Sequence, residues 1–116
     1  MFANRLNAST KHTAHVLAAL GDKTRLLLVA RLAAGEPLSI SRLSAGTRMT
    51  RQAVTKHLHV LEKAGVANGR RRGREHRWEL NPAQLREVRR QLDRIASQWD
   101  DALARLKASV ESGRRV

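Results

Sequence analysis

Residues 49–65, MTRQAVTKHLHVLEKAG, concentrate hydrogen-bonding side chains in one short segment. We expect six of these side chains to contact a ligand: Thr50, Arg51, Gln52, Thr55, Lys56 and His59. Hydroxyl, amide, guanidinium and ammonium groups of this kind recognise nucleic-acid bases and phosphates by hydrogen bonds and charge. The chain has no zinc-protease, nucleophile-elbow or phosphate-loop motif and no plausible catalytic triad. We therefore expect binding chemistry and not an enzyme.

The same segment has the spacing of an amphipathic helix. Thr50 is a good N-cap for it. Val54, Leu58 and Leu61 follow at intervals of four and three residues, which places them on one side. The opposite side is almost free of acidic residues and carries Gln52, Lys56, His59 and Lys63, with Arg51 and Thr55 on its flank. The pattern predicts a helix that buries one side and presents donors on the other.

An arginine-rich hairpin is predicted after this helix. Val66 leads into one strand, and His76–Leu80 form a second strand in which Trp78 and Leu80 alternate with polar residues. The tip between the strands contains Arg70, Arg71, Arg72 and Arg74. A solvated charged loop is the alternative interpretation of this run. Its position beside a donor-lined helix favours contact with the backbone or minor groove of a nucleic acid.

The net charge supports a polyanionic partner. The chain has 23 Lys and Arg against 10 Asp and Glu, which gives +13 and a pI near 11.8. Residues 42–77 hold ten of the basic residues and two acids, a net charge of +8 in 36 residues. Because self-repulsion gains nothing for folding, such a concentration indicates nucleic-acid binding.

A heptad-like repeat of apolar residues runs through the segment after Asn81. Its members, three or four residues apart, are Leu85, Val88, Leu92, Ile95, Trp99, Leu103, Leu106 and Val110. An unbroken helix over residues 82–112 would be about 45 Å long at 1.5 Å per residue. The core of so small a domain cannot cover that length, and we expect a second subunit to cover part of it.

The order of elements predicts a single winged helix-turn-helix domain over residues 1–116, mainly α with a small β-hairpin. Residues 12–81 would form the helical core, with Asp22 capping the second helix, and the wing. Residues 82–112 would form the dimerisation helix, and residues 1–11 and 113–116 look like loose tails. In this motif the second helix enters the major groove of double-stranded DNA. Gln52 would then pair with adenine, and Arg51 or Lys56 with guanine.

Three segments, LGDKTRLLLVARLAAGEPLSISRL, MTRQAVTKHLHVLEKAGV and GRRRGREHRWELNP, together resemble the ArsR/SmtB-type family of dimeric bacterial repressors. The tail QWDDALARL resembles a branch of that family with a similar tryptophan motif in its last helix. The resemblance covers roughly residues 14–108 and implies a homodimer on an inverted-repeat operator. It also implies repression that is relieved by an inducer or by a change of state, and the sequence does not identify the inducer. It implies a dimer interface of the first and last helices, and the residues expected there are Val16, Leu20, Leu92, Ile95, Trp99, Leu103 and Leu106.

The chain departs from the metal-sensing members of that family. They place cysteines in the short helix, where this chain has residues 38–41, LSIS, or histidines on the last helix, where it has none. His12 and His15 have a two-ligand spacing, but two imidazoles without a third ligand make a weak site. We expect ordinary histidines there and neither a metal nor a cofactor.

The remaining expectations concern location and rival functions. No apolar run has the length of a signal peptide or approaches the roughly 20 residues of a membrane span. We therefore expect a cytoplasmic protein without a membrane partner. One rival is a nonspecific, nucleoid-type nucleic-acid binder. Another is a protein-interaction module that uses its C-terminal helix.

Overall fold

The computed structural model describes the backbone of residues 2–114 and the side chains of residues 8 and 10–113. Its helices are α1 (Phe2–Leu20), α2 (Lys23–Leu32), α3 (Ile40–Ser44), α4 (Arg51–Lys63) and α5 (Pro82–Arg114). Its strands are β1 (Leu38–Ser39), β2 (Ala67–Arg72) and β3 (Glu75–Leu80), in an antiparallel sheet of order β1-β3-β2. Helices α3 and α4 form a helix-turn-helix, and β2 and β3 form the wing. The predicted fold class is confirmed.

Side-chain caps fix where two of the helices begin. The Asp22 carboxylate accepts a hydrogen bond from the Arg25 N–H at 3.0 Å at the start of α2. The Thr50 hydroxyl accepts one from the Ala53 N–H at 3.0 Å at the start of α4. Both predicted caps are confirmed, and each is typically worth about 1 kcal/mol of helix stability.

The predicted apolar side of α4 lies in the core. Val54, Leu58 and Leu61 are fully buried, together with Leu43 of α3 and Trp78 of β3. Burying one such aliphatic side chain stabilises the fold by about 1.5–3 kcal/mol relative to leaving it exposed. The orientation of α4 is therefore set by its apolar side, and its opposite side faces outward.

The sheet has one strand more than the sequence predicts. Leu38 and Ser39 form β1 and pair with Trp78 and Arg77 of β3. Two residues are too few to show an alternating pattern, so the strand is invisible in the sequence. Ser39 is also the N-cap of α3, because its hydroxyl accepts a hydrogen bond from the Arg42 N–H at 3.3 Å.

The first and last helices, α1 and α5, are longer than the sequence predicts. Helix α1 begins at Phe2, so the prediction of a loose segment is wrong for residues 2–11. No Gly or Pro interrupts residues 2–20, and the polar composition at their start hid the helix. Helix α5 runs unbroken to Arg114 and includes Gly113, which costs only about 1 kcal/mol relative to Ala. Residues 1, 115 and 116 lie outside the described residues.

The residues expected at a dimer interface fall into two groups. Val16 is fully buried in the core of its own chain, and Leu20 packs against that core. The expectation is therefore wrong for Val16, which has no surface left for a second copy. The large apolar side chains of α5 beyond Val88 are instead 44–66% exposed, and we call this set the α5 stripe: Leu92, Ile95, Trp99, Leu103, Leu106 and Val110. Within residues 2–114 no helix is long and apolar enough to cross a membrane.

The charge of Asp22 makes the stability of the fold depend on pH. The hydrogen bond from the Arg25 N–H, with smaller contributions from the charges of Arg25 and His57, lowers the pKa of Asp22 below its ordinary value of 3.8. A lowered pKa in the folded state stabilises the fold above the unfolded value, and this contribution is lost as the pH falls through the folded pKa.

Asp22→Asn keeps a good N-cap but removes the charge. We expect the variant to be less stable than the parent at pH 6, and the difference to shrink once the pH falls below about 4. Urea unfolding at both pH values measures it. A difference that is equal at the two pH values would contradict the ionic contribution.

Candidate nucleic-acid interface

The N-terminal half of α4 presents free donors. Arg51, Gln52 and Lys56 are exposed, and their side chains make no hydrogen bond or ion pair within the described part of the chain. At about 100° per residue, Gln52 and Lys56 lie on the side opposite the buried Val54, Leu58 and Leu61. Side chains without internal partners keep their hydrogen-bonding capacity for an external ligand.

Two other predicted contact residues are engaged inside the domain. The Thr55 hydroxyl donates to the Arg51 carbonyl oxygen at 2.7 Å, and its side chain is half-buried. The His59 imidazole meets the Trp78 indole edge-on, with ring centroids 5.5 Å apart, and its Nδ1 lies 3.3 Å from Glu62 Oε1. His59 is therefore a junction residue between α4 and the wing.

Trp78 joins the wing to α4. Its indole is fully buried between His59 and His76, and the His76 ring stacks on it with centroids 4.8 Å apart. The Glu62 carboxylate adds a second link by accepting a hydrogen bond from the Gly69 N–H of β2 at 3.2 Å. These contacts place the root of the wing beside the C-terminal half of the donor side of α4.

Sequence reasoning missed this junction. The sequence pattern gives Glu62 and His76 no part in the site, and it places Trp78 only in the second strand of the hairpin. One signal was present, because Glu62 is the only acidic residue between positions 37 and 74. A single carboxylate in so basic a stretch suggests that its side chain accepts a hydrogen bond within the fold, which a Lys or Arg side chain cannot do.

Close packing explains why position 69 is a glycine. Gly69 lies opposite Trp78 in the β2–β3 ladder. A Cβ atom at this position would lie 2.5 Å from His76 Nε2 and 3.1 Å from the Trp78 ring. These distances are shorter than van der Waals contact, and the glycine therefore allows the two rings to pack over the strand.

The arginines of the wing are distributed differently from the prediction. Arg70, Arg71 and Arg72 lie within β2, and the two-residue turn contains Gly73, with φ of 62°, and Arg74. Glycine at the first central position with positive φ is typical of a type II′ hairpin turn. The expectation that all four arginines occupy the tip is therefore wrong.

Strand alternation separates the wing arginines onto two faces. Arg71 pairs with His76 and shares the face of Trp78, whereas Arg70 and Arg72 lie on the opposite face. Arg70 Nε is 2.9 Å from Glu79 Oε1. The side chains of Arg71, Arg72 and Arg74 make no ion pair within the described residues, and they are the freer cations for phosphate.

Two arginines of α2 hold the helix-turn-helix in position. Arg31 of α2 donates to the carbonyl oxygens of Leu43 at 2.7 Å and Arg42 at 2.8 Å, at the C-terminal end of α3. A cation at this end also complements the helix dipole. Arg25 donates to the Ala19 carbonyl oxygen of α1, and its Nη1 lies 3.3 Å from His57 Nδ1 of α4. The two guanidinium groups therefore connect α1 and α2 to the helix-turn-helix.

Comparison with known proteins identifies the arrangement. Residues 20–70 match a family model described as a helix-turn-helix domain. The HTH-type transcriptional regulator Rv2034 of Mycobacterium tuberculosis is 36% identical over 94 residues, which cover 81% of this chain and 84% of the relative. The structure of an ArsR-like transcriptional regulator from Rhodococcus sp. RHA1 superposes with a TM-score of 0.77 at 35% identity, covering 86% of this chain and 93% of that one. The chain belongs to the ArsR family of winged helix-turn-helix transcriptional regulators.

The fold is shared more widely than the sequence. The solution structure of Mb0332 from Mycobacterium bovis, described as a homodimeric winged helix-turn-helix DNA-binding domain, has a TM-score of 0.64 at 22% identity. The match covers 81% of this chain and 85% of that one. At this identity the likeness concerns the fold alone.

The His12 side chain contacts a residue of another helix. Its Nε2 contacts the side-chain Oε1 of Gln84, which links α1 to the start of α5. His15 is exposed one helical turn away. Among the described residues, no three His, Asp or Glu side chains come together in a way that could hold a metal ion. His12 therefore contributes to packing between two helices.

Gly69→Ala tests the packing at the junction. The added Cβ must displace His76 or Trp78, and we expect a loss of about 1–3 kcal/mol in the free energy of unfolding, as for other overpacked sites. Chemical denaturation followed by circular dichroism measures it. Gly113→Ala is the matched control, because a Cβ there meets open space, and it should be neutral or slightly stabilising. Equal stability of Gly69→Ala and the parent would contradict the proposed contact.

Proposed function

We propose that this chain is a homodimeric repressor that binds an inverted-repeat operator in double-stranded DNA. The observation that carries the proposal is the set of free donors at the start of α4, Arg51, Gln52 and Lys56, in an ArsR-family helix-turn-helix. The residues near the N-terminus of the second helix are the ones that reach base edges in this motif. Their lack of internal partners supports this use.

Each of these side chains suits a different base edge. The Gln52 amide can donate to and accept from adenine in a bidentate pair, and Arg51 or Lys56 can donate to guanine. The Thr55 hydroxyl already donates its only proton to the Arg51 carbonyl oxygen, and its remaining lone pairs can accept a hydrogen bond from the amino group of an adenine or a cytosine. Thr50 caps the helix by accepting a hydrogen bond from the Ala53 N–H, and the other N–H groups of the first turn can bind a DNA phosphate.

The wing supplies charge without base specificity. Arg71, Arg72 and Arg74 are exposed and unpaired within the described residues, and the Trp78 junction holds them beside α4. We assign them to phosphates or to a narrow minor groove. Arg70 is a weaker candidate because Glu79 already neutralises part of its charge.

A dimer of two identical chains would bind an operator with two symmetry-related half-sites. The α5 stripe leaves six large apolar side chains exposed, a surface that a soluble monomer rarely carries. Covering it with another α5 would give two recognition helices related by a two-fold axis. Such dimers bind half-sites about one helical turn, roughly 10 bp, apart. Repression then follows when the occupied operator overlaps a promoter.

The experiment that tests the proposal is selection of bound duplexes from a random DNA pool at physiological salt. We expect an enriched inverted repeat with half-sites about 10 bp apart. A specificity ratio of about 10³ or more over random DNA is typical of specific regulators. A pool that is retained without enrichment would overturn the proposal and favour a nonspecific nucleic-acid binder.

Gln52→Ala tests the readout assigned to α4. Loss of a bidentate base contact should weaken binding to the selected operator by about 1–3 kcal/mol and relax the preference at one position in each half-site. Binding to random DNA should stay unchanged, because phosphates dominate it. Competition titrations with both duplexes measure the two affinities. An equal loss on both would show that Gln52 does not read a base.

The combined replacement of Arg71 and Arg72 by Ala tests the wing. If each subunit of the parent neutralises about four phosphates, log K should fall with log salt at a slope near −7. The variant loses about two contacts per subunit, so the slope should become shallower by about 3 to 4 and all duplexes should bind more weakly. Arg94→Ala with Arg105→Ala, on α5, removes the same charge and is the control. The same slope in both variants would contradict a role for the wing.

A further inference from the structure

The face of the sheet opposite Trp78, which we call the outer face, carries a basic recess. We propose that this recess binds a small phosphorylated molecule, with the phosphate held between Arg70 and Arg77. The site is separate from the donors that α4 presents. The proposal concerns the chain without DNA and goes beyond the function proposed above.

The strand register brings the two arginines together. Directly paired residues of an antiparallel ladder have their side chains on the same face of the sheet. Three pairs of the β2–β3 ladder lie on the outer face: Asn68 with Glu79, Arg70 with Arg77, and Arg72 with Glu75. The Cβ atoms of the middle pair are therefore about 4.5–5.5 Å apart. Like charges directly opposite each other destabilise a sheet, and an anion bound between Arg70 and Arg77 would offset this cost.

Two carboxylates orient this pair without occupying all its donors. Arg77 Nε donates a hydrogen bond to Glu75 Oε2 at 2.9 Å, and Arg70 Nε lies 2.9 Å from Glu79 Oε1. The terminal Nη groups of both arginines donate no hydrogen bond within the described part of the chain. Each guanidinium is thus held at one edge while its remaining N–H groups stay free. Such groups bind two oxygens of a phosphate at once.

The recess has the size of a small-molecule site. Its volume is about 340 Å³, within the range of known ligand pockets. Its lining consists of Pro37, Glu79 and four arginines, namely Arg70, Arg71, Arg72 and Arg77. At 30 Å³ per water molecule the volume equals that of about eleven waters, which is more than a phosphate ion alone needs. We therefore expect the ligand to carry an organic group, with the Pro37 ring as its apolar wall.

The charge of the recess matches a dianion. Glu75 and Glu79 each neutralise one arginine of the central pair. Arg71 and Arg72 make no ion pair within the described residues, so two positive charges stay uncompensated. A phosphate monoester carries close to two negative charges at pH 7. Its charge therefore equals the excess that the recess presents.

The direction of the outer face distinguishes this site from the surface proposed for DNA. Trp78 and His76 pack toward His59 of α4. Because side chains alternate along a strand, Arg70 and Arg77 point away from that junction. A duplex laid against the donors of α4 faces the Trp78 side of the wing, and the outer face stays open to a free anion. Arg72 lies nearest the turn and belongs to both surfaces.

Titration of the full chain with inorganic phosphate and with phenyl phosphate tests the site. The ionic strength is held constant with chloride, DNA is left out, and heteronuclear NMR follows the Nε–H signals of the arginines. We expect saturable shifts at Arg70 and Arg77, with tighter binding of phenyl phosphate because its ring can pack on Pro37. Shifts that do not saturate and that spread equally over the arginines would overturn the proposal, since they would report only a diffuse ion atmosphere.

Variants on two different strands test the clamp independently. Arg70→Gln and Arg77→Gln each remove one half of it, and the dissociation constant for phosphate should rise about tenfold, as for the loss of a charged hydrogen bond. Arg94→Gln, on α5, removes the same charge outside the recess and is the matched control, which should bind phosphate as the parent does. Circular dichroism checks that each variant is folded. Equal losses in all three variants, or no loss in either recess variant, would overturn the clamp.

A random DNA duplex separates the two sources of phosphate. We expect the duplex to leave the Nε–H signals of Arg70 and Arg77 unshifted under conditions in which phenyl phosphate shifts them. A duplex that shifts these signals while both free phosphates fail to do so would assign the outer face to the DNA backbone and overturn the proposal. The function proposed above would survive that outcome, because selection of an operator from a random pool tests it separately.

Discussion

The burial of Trp78 is the interaction on which the arrangement of the DNA-binding elements depends. Its side chain is fully enclosed, and at about 25 cal/mol per Å² a buried indole contributes roughly 4–6 kcal/mol. The indole N–H has no partner among the described residues, a cost of about 1–3 kcal/mol. The apolar term is larger. Trp78 therefore anchors β3, and through His59 and His76 it sets the position of the wing relative to α4.

A shortage of acidic residues explains why so many cations face outward. In the stretch from Arg42 to Arg77, Glu62 binds His59 and the Gly69 N–H, and Glu75 lies 2.9 Å from Arg77. Arg70 pairs with Glu79, whereas Arg71, Arg72 and Arg74 of the wing and Arg51 of α4 find no carboxylate among the described residues. The scarcity of acidic residues therefore leaves cations free to bind DNA. The few carboxylates that are present make contacts within the wing and between the wing and α4.

The elements that sequence reasoning found are those with long, local signals. Helix α4 combines a cap at Thr50 with a stripe that begins at Val54, and both are confirmed because they depend on neighbours within the same helix. Strand β1 and the burial of Val16 depend on residues far along the chain, and no local pattern encodes them. Likewise, donors at Gln52 and Lys56 could be assigned from spacing alone. The role of His59 could not, because it depends on Trp78, which is distant in sequence.

Helix α5 divides its apolar residues between two tasks. Leu85 and Val88 pack with the core of their own chain, whereas the residues from Leu92 onward are exposed. The change from buried to exposed side chains between Val88 and Leu92 shows that α5 is longer than the core of one domain can cover. Since the buried first turns fix the direction of the exposed remainder, a partner on the stripe is held rigidly relative to α4. In the homodimer proposed above, the distance between the two recognition helices would depend on which residues of the stripe the second copy contacts, and this distance would set the spacing of the half-sites.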